Sequence, residues 1–142
     1  MIEPGFSKAK AVAVREHLES CQSEMLALAR LLVETESPSG DLEGSRAVVQ
    51  LLAEAARKID GVTSVERIES SGYGEHLRVC AFGDADESSE TILIIGHTDT
   101  VHPRGSLRER PWRVQEGRIY GPGIFDMKAS CALVLEVIRA CA

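Results

Sequence analysis

A short run of aliphatic residues followed at once by polar residues constrains this sequence more than any other feature. In "TILIIGHTDTVH", Thr91 to His102, four consecutive aliphatic residues precede a group of His, Thr and Asp. A continuous apolar run of this length is typical of a central strand that helices cover on both faces. The run therefore predicts an α/β fold in which the polar group lies at the end of a buried strand.

Helical periodicity is visible on both sides of this run. Apolar residues recur at helical spacing over 7–33, which predicts one long amphipathic helix or two short ones. "TESPSGD" interrupts this pattern, and Asp41 can cap a second helix that ends near Gly61. The periodicity resumes at Asp126 and continues to Ala142, so a helix is also predicted there.

Alternating apolar and polar residues predict further strands. "VTSVERIES" and "HLRVCAFG" are separated by the turn signal "SSGYGE" and are expected to pair. "WRVQEGRIYG" predicts a hairpin with Glu116 and Gly117 at its turn and with Trp112 and Tyr120 in its core.

Composition limits the classes of partner. The chain has 142 residues, 44% of them hydrophobic and 27% charged, which suits one globular domain. A net charge of −6 disfavours nucleic acid and membrane surfaces, so small molecules or peptides are the expected partners. The first residues lack the uninterrupted hydrophobic core that is typical of a signal peptide, so export is not expected. The four cysteines, Cys21, Cys80, Cys131 and Cys141, form no CxxC pair. These features favour free or buried thiols in the cytoplasm.

Three residues are candidates for chemistry. His97 and Asp99 are two apart in extended backbone, so their side chains lie on the same side and can meet. A metal-bound imidazole commonly gives its other N–H to a carboxylate, although a His and an Asp that satisfy each other in a loop show the same spacing. Asp126 follows Gly121-Pro-Gly123 at a predicted helix start, where capping is the alternative role. His102 is predicted to be an ordinary loop histidine, and His17 and His76 have no partner in any motif.

"GHTDTV", "RPWRV" and "GRIYGPGIFDMK" resemble, in order and spacing, the first third of a zinc-dependent family. That family contains glutamate carboxypeptidase, acetylornithine deacetylase and succinyl-diaminopimelate desuccinylase. The resemblance covers most of residues 25–142, and the Gly-Pro-Gly segment favours the carboxypeptidase branch. It implies a three-layer α/β/α mixed sheet, with 1–142 as the amino-terminal portion of the catalytic domain and without the lid or dimerisation domain.

The resemblance also implies roles for individual residues. His97 would be a ligand to one zinc, Asp99 would orient it, and Asp126 would bridge two zinc ions, with cobalt or manganese as alternatives. The family pattern implies a cis peptide bond at Asp126–Met127. Lys128 fits the motif, with a surface ion pair as its alternative role.

The implied activity is hydrolysis of amide bonds in N-acyl amino acids or short peptides. A deacylase acting on acetylornithine-like or succinylated substrates is one alternative, and a non-catalytic interaction module is another. The family's remaining ligands and its general base lie downstream of Ala142, so the chain alone is expected to be inactive. A homodimer is the assembly that the family suggests for a full-length protein.

Overall fold

The helices of the amino-terminal half follow the predicted periodicity. The structure, a computed structural model, describes residues 7–83 and 91–142. Two short helices, α1 (Lys8–Ser20) and α2 (Gln22–Glu34), meet at Cys21, so the two-helix alternative is the one observed. Helix α3 (Leu42–Ala56) begins where Asp41 accepts a 2.9 Å hydrogen bond from the backbone N–H of Gly44. The predicted cap is confirmed, and it satisfies one of the free N–H groups of the first turn.

Two antiparallel hairpins follow α3 in the described residues. Strands β1 (Val62–Ser70) and β2 (Gly74–Ala81) pair as predicted, with Val65 opposite Val79. After a short helix, α4 (Ser106–Glu109), strands β3 (Arg113–Gln115) and β4 (Arg118–Tyr120) form the second hairpin. The predicted turn at Glu116 and Gly117 connects them.

The last helix begins three residues later than predicted. Ile124–Lys128 form a wide turn, and only then does α5 (Ala129–Cys141) begin. Asp126 and Met127 have non-helical backbone angles, and the peptide bond between them is cis, as the resemblance implied. Asp126 therefore precedes the regular helix instead of opening it.

The core lies between helices α2, α3 and α5. Hairpin β1–β2 packs on α3, and Trp112 packs against the edge of the same core. Each fully buried aliphatic side chain contributes roughly 1.5–3 kcal/mol to folding. The buried cluster consists of Ala29, Leu32, Val48, Leu52, Ala56, Ile59, Ala132 and Leu135.

The chain is mixed α/β, as predicted, but the third strand is not formed. In the described part of the chain, residues 91–99 belong to no strand, and Ile92 and Ile95 are 87% and 78% exposed. A strand requires a neighbour along its hydrogen-bonding edge, and neither hairpin pairs with this segment. The apolar pattern therefore marks residues that favour burial, but no helix or strand among the described residues covers them. No helix in the described residues is long and apolar enough to cross a bilayer.

Candidate functional site

The polar group after the apolar run is anchored to the loop that follows α2. Thr100 donates a 2.9 Å backbone hydrogen bond to Ser37 and accepts one of 3.0 Å from the N–H of Ser39. The buried hydroxyl of Ser37 donates to the carbonyl of Thr98 at 2.7 Å. This loop therefore sets the position of residues 98–100. The sequence pattern predicted that a buried strand would do so.

A second segment brings Asp126 to the same place. The wide turn closes through a 2.9 Å hydrogen bond from the Lys128 N–H to the Gly123 carbonyl. Gly123 has a φ of 70°, and a Cβ there would lie 2.3 Å from Cγ2 of Thr100. Because real Cβ atoms do not approach that closely, any other residue at this position would force Thr100 or the turn to shift.

The structure brings the three predicted site residues together. His97 Nε2 lies 2.9 Å from Oδ1 of Asp126. Its Nδ1 lies 3.0 Å from the carbonyl oxygen of Asp99 and 3.4 Å from the carboxylate of the same residue. Asp99 thus holds the imidazole mainly through its backbone, whereas the sequence spacing suggested only the side chain.

Both ring nitrogens of His97 face oxygen acceptors. This arrangement suits a ring that carries a proton on each nitrogen, or a ring that binds a metal ion through one nitrogen and carries a proton on the other. Partial burial lowers the pKa of His97. The hydrogen bond and charge of Asp126, together with the Asp99 backbone, outweigh this effect, and the net pKa is raised. The Asp126 carboxylate therefore places negative charge at the point that Nε2 of His97 faces.

Ser39, which forms a hydrogen bond with Asp99, was not identified from the sequence. The Ser39 hydroxyl donates a 2.5 Å hydrogen bond to Oδ2 of Asp99 across 60 positions of sequence. A serine in a Pro/Gly-rich break gives no local signal of such a contact, because the partner is defined only by the tertiary fold. Ser39 fixes the carboxylate that flanks the imidazole.

The site opens into a cleft of about 240 Å³. His97 and Asp126 are 46% and 75% exposed at its surface, so a ligand can reach both side chains. His102, predicted as an ordinary loop histidine, also lines this cleft. Its other lining residues are Ser39, Asp99, Thr100, Val101, Gly121, Gly123, Ile124 and Phe125.

The donor atoms suit a transition metal in type but are few in number. An imidazole nitrogen and a carboxylate oxygen are both common zinc ligands. Within 7–83 and 91–142, no third His, Cys, Asp or Glu joins His97 and Asp126 in a convergent group of ligand atoms. These residues therefore fit part of a metal site.

Lys128 lies behind the site and forms no surface ion pair, so that alternative was wrong. It is 2% exposed, and its Nζ donates hydrogen bonds of 2.7 Å to the carbonyls of Leu32 and Thr35. Burial lowers its pKa to about 8. The lysine ties the turn that carries Asp126 to the end of α2.

A protein-family model and several known proteins resemble this chain. The model of "Peptidase family M20/M25/M40" matches residues 93–142, which include all three predicted site residues. Carboxypeptidase G2 of Pseudomonas sp. (strain RS-16) is 36% identical over 110 residues, 76% of this chain and 25% of that protein.

Two deacylases are also similar. Succinyl-diaminopimelate desuccinylase of Anaplasma marginale (strain Florida) is 32% identical over 83 residues, 49% of this chain and 22% of that protein. Acetylornithine deacetylase of Aliivibrio fischeri (strain MJ11) is 31% identical over 100 residues, 68% of this chain and 25% of that protein. The chain thus spans between 22% and 25% of the length of these relatives.

Proposed function

Because the chain belongs to peptidase family M20/M25/M40, we propose that its cleft is part of a two-zinc hydrolase of amide bonds. The substrates would be N-acyl amino acids or short peptides. One observation carries the proposal, namely that His97 Nε2 and Asp126 Oδ1 converge at 2.9 Å in an open cleft.

His97 and Asp126 would hold the metal, with Asp126 as the carboxylate shared by both ions. Bound divalent metal supplies Lewis-acid activation of water and of the scissile carbonyl. Zinc is the metal proposed, with cobalt or manganese as alternatives. The imidazole and carboxylate at the site are ligands that these ions accept.

The other residues of the site position these two. The Asp99 carbonyl accepts from Nδ1 of His97 at 3.0 Å, which holds the proton on Nδ1 and leaves Nε2 as the ligand atom. Ser39 in turn holds the Asp99 carboxylate. Asp99 is therefore proposed as the residue that orients the histidine during catalysis.

The similarity to carboxypeptidase G2 supports release of a carboxy-terminal residue as the leading activity. The similarity to a desuccinylase and to acetylornithine deacetylases supports a deacylase as the second candidate. Both reactions break an amide bond and need the same metal chemistry. They differ in the group that the cleft must recognise beside that bond.

We further propose that these 142 residues alone have little or no activity. Catalytic zinc sites use about three protein ligands and one open position, whereas two donor atoms converge in the described cleft. The segment is proposed as the amino-terminal portion of a catalytic domain in a cytoplasmic enzyme, with a homodimer as the assembly of a full-length protein.

The test uses the complete open reading frame that encodes these residues, purified with zinc. Release of glutamate from N-acyl-glutamates is measured beside deacylation of N-acetylornithine and N-succinyl-diaminopimelate. We expect His97→Ala and Asp126→Ala to abolish turnover, while His76→Ala and Asp60→Ala, at exposed positions, serve as matched controls.

Faster glutamate release would favour the carboxypeptidase, and faster deacylation the second candidate. Turnover that survives in both site variants would refute the proposed metal ligands. If the protein neither binds zinc nor hydrolyses any of these substrates, a non-catalytic interaction module becomes the better interpretation.

A further inference from the structure

A second group of metal-ligating side chains lies outside the cleft, where α1 meets α5. His17 is in the last turn of α1 and Cys21 follows four positions later, so both side chains lie on one face. Glu136 of α5 faces them. One ligand atom from each residue lies within 4.8 Å of the other two.

Glu136 presents a buried carboxylate oxygen toward this group. The residue is 6% exposed, and among the described residues its Oε1 has no hydrogen-bond partner. Its other oxygen, Oε2, lies 3.4 Å from Nε of Arg139. A buried acceptor without a partner costs about 1–3 kcal/mol, and more when it is charged. The position therefore suits a bound cation.

The geometry distinguishes a metal site from two other arrangements. Glu136 Oε1 and Cys21 Sγ lie 3.4 Å and 3.6 Å from the same atom, Nε2 of His17. A single N–H can point at only one of them. If it points at Glu136, Cys21 Sγ keeps only its 3.7 Å contact with Ser20 Oγ, and if it points at Cys21, the buried Oε1 stays without a hydrogen-bond partner among the described residues. A catalytic thiol, histidine and acid would use the two different ring nitrogens. Convergence on one nitrogen instead fits three ligands around a shared centre.

We propose that His17 Nε2, Cys21 Sγ and Glu136 Oε1 bind a zinc ion at this second site. With standard zinc bond lengths, tetrahedral ligands lie about 3.3 Å apart for N and O and about 3.6 Å for N and S. The observed separations of 3.4 Å and 3.6 Å match both values. Nitrogen, sulfur and one carboxylate form a ligand set that zinc accepts.

The site is accessible and leaves one coordination position for water. The His17 side chain is 37% exposed, which gives an ion a path from solvent. On binding, the Cys21 thiol releases its proton to solvent and the sulfur donates a lone pair to the ion, without any redox change. The ion would join α1 to α5, whose contact otherwise depends on partly buried side chains.

Cobalt(II) is the probe, because thiolate coordination gives it a charge-transfer absorption that a site without sulfur lacks. The 142-residue chain is titrated with Co²⁺ and then with Zn²⁺. We expect the absorption to appear with Co²⁺, to vanish when Zn²⁺ displaces it, and to be absent from Cys21→Ser. Glu136→Gln and His17→Gln are expected to weaken binding at least about tenfold.

Cys131→Ser and His97→Ala are the matched controls, because Cys131 Sγ lies 3.4 Å from the His97 carbonyl beside the cleft. Both should keep the absorption. Loss of the signal in either control, or its survival in Cys21→Ser, would overturn the proposal. So would the absence of any thiolate signal in the wild type.

Circular dichroism without metal shows whether each variant folds. His17→Gln, at a partly exposed position, provides the test if Cys21→Ser does not fold. A melting temperature that Zn²⁺ raises in the wild type but not in His17→Gln would support the site. Equal shifts in the two proteins would contradict it.

Discussion

Lys128 Nζ donates a 2.7 Å hydrogen bond to the carbonyl oxygen of Thr35, the residue that follows α2. Two positions later, Ser37 begins the loop that holds Thr98 and Thr100. Two positions before the lysine, Asp126 faces His97. One buried lysine therefore anchors both segments of the candidate site to the end of the same helix.

Replacing this lysine should destabilise the fold. Lys128→Met keeps much of the side-chain volume but leaves the carbonyls of Leu32 and Thr35 without their donor. Each unsatisfied buried acceptor costs about 1–3 kcal/mol, so for the two carbonyls we expect a loss of about 2–6 kcal/mol. Urea denaturation measures it, with Lys58→Met, at an exposed position, as the control. Equal stability of the two variants would contradict the role of Lys128.

Glu36 predicts a dependence of stability on acid pH. Its carboxylate accepts from the backbone N–H groups of Gly105 and Leu107 at 2.8–3.0 Å, and these hydrogen bonds lower its pKa from 4.5. A lowered pKa means that the stabilisation is complete well above pH 4.5 and is lost as the pH falls through the pKa of the folded state.

Glu36→Gln removes the charge but keeps the shape, so its stability should fall less steeply below pH 4.5. At pH 7 we expect it to be about 1 kcal/mol less stable than the wild type, because hydrogen bonds to a charged acceptor are stronger. Thermal melts across this range measure both effects. Glu109→Gln, at an exposed position, is the control, and an identical pH profile for Glu36→Gln and the wild type would refute the prediction.

The close approach of Gly123 to Thr100 should make an alanine at this position destabilising. The same substitution at Gly72 serves as the matched control. In Gly123→Ala, the new Cβ would meet Cγ2 of Thr100 at 2.3 Å, whereas Gly72 has a similar positive φ and nothing within 4 Å. Left-handed backbone costs alanine about 1–2 kcal/mol at either position. Overpacking should add about 1–3 kcal/mol at Gly123 alone. Equal losses in the two variants, measured by chemical denaturation, would show that Thr100 moves aside freely.

Local patterns predicted those parts of the fold that depend on neighbouring residues. Asp41 caps α3, and Glu116 and Gly117 turn a hairpin, because capping and turn formation involve only a few adjacent residues. The spacing of His97 and Asp99 correctly placed them together. The link from either residue to Asp126 came from the family resemblance and not from spacing.

The remaining features depend on contacts between distant segments. Lys128 bonds to a residue 96 positions away, and Ser39 bonds to Asp99 across 60 positions. A lysine or a serine in isolation has no pattern that reveals such a partner. The grouping of His17 and Cys21 with Glu136 has the same cause, since only the packing of α1 on α5 brings them together.

The exposed apolar run gives the last prediction. Single exposed aliphatic residues are common, but four in succession from Ile92 to Ile95 are each 56–87% exposed, which forms a contiguous apolar surface. The isolated chain should therefore bind the dye ANS and associate with itself. Ile92→Ser combined with Ile95→Ser should reduce both effects and change stability by less than about 0.5 kcal/mol, because neither side chain is buried. Ile59→Ser, at a residue 4% exposed, is the contrasting control and should destabilise the fold. Dye fluorescence measures dye binding, and light scattering measures self-association. Unchanged dye binding in the double variant would show that the dye binds another part of the chain.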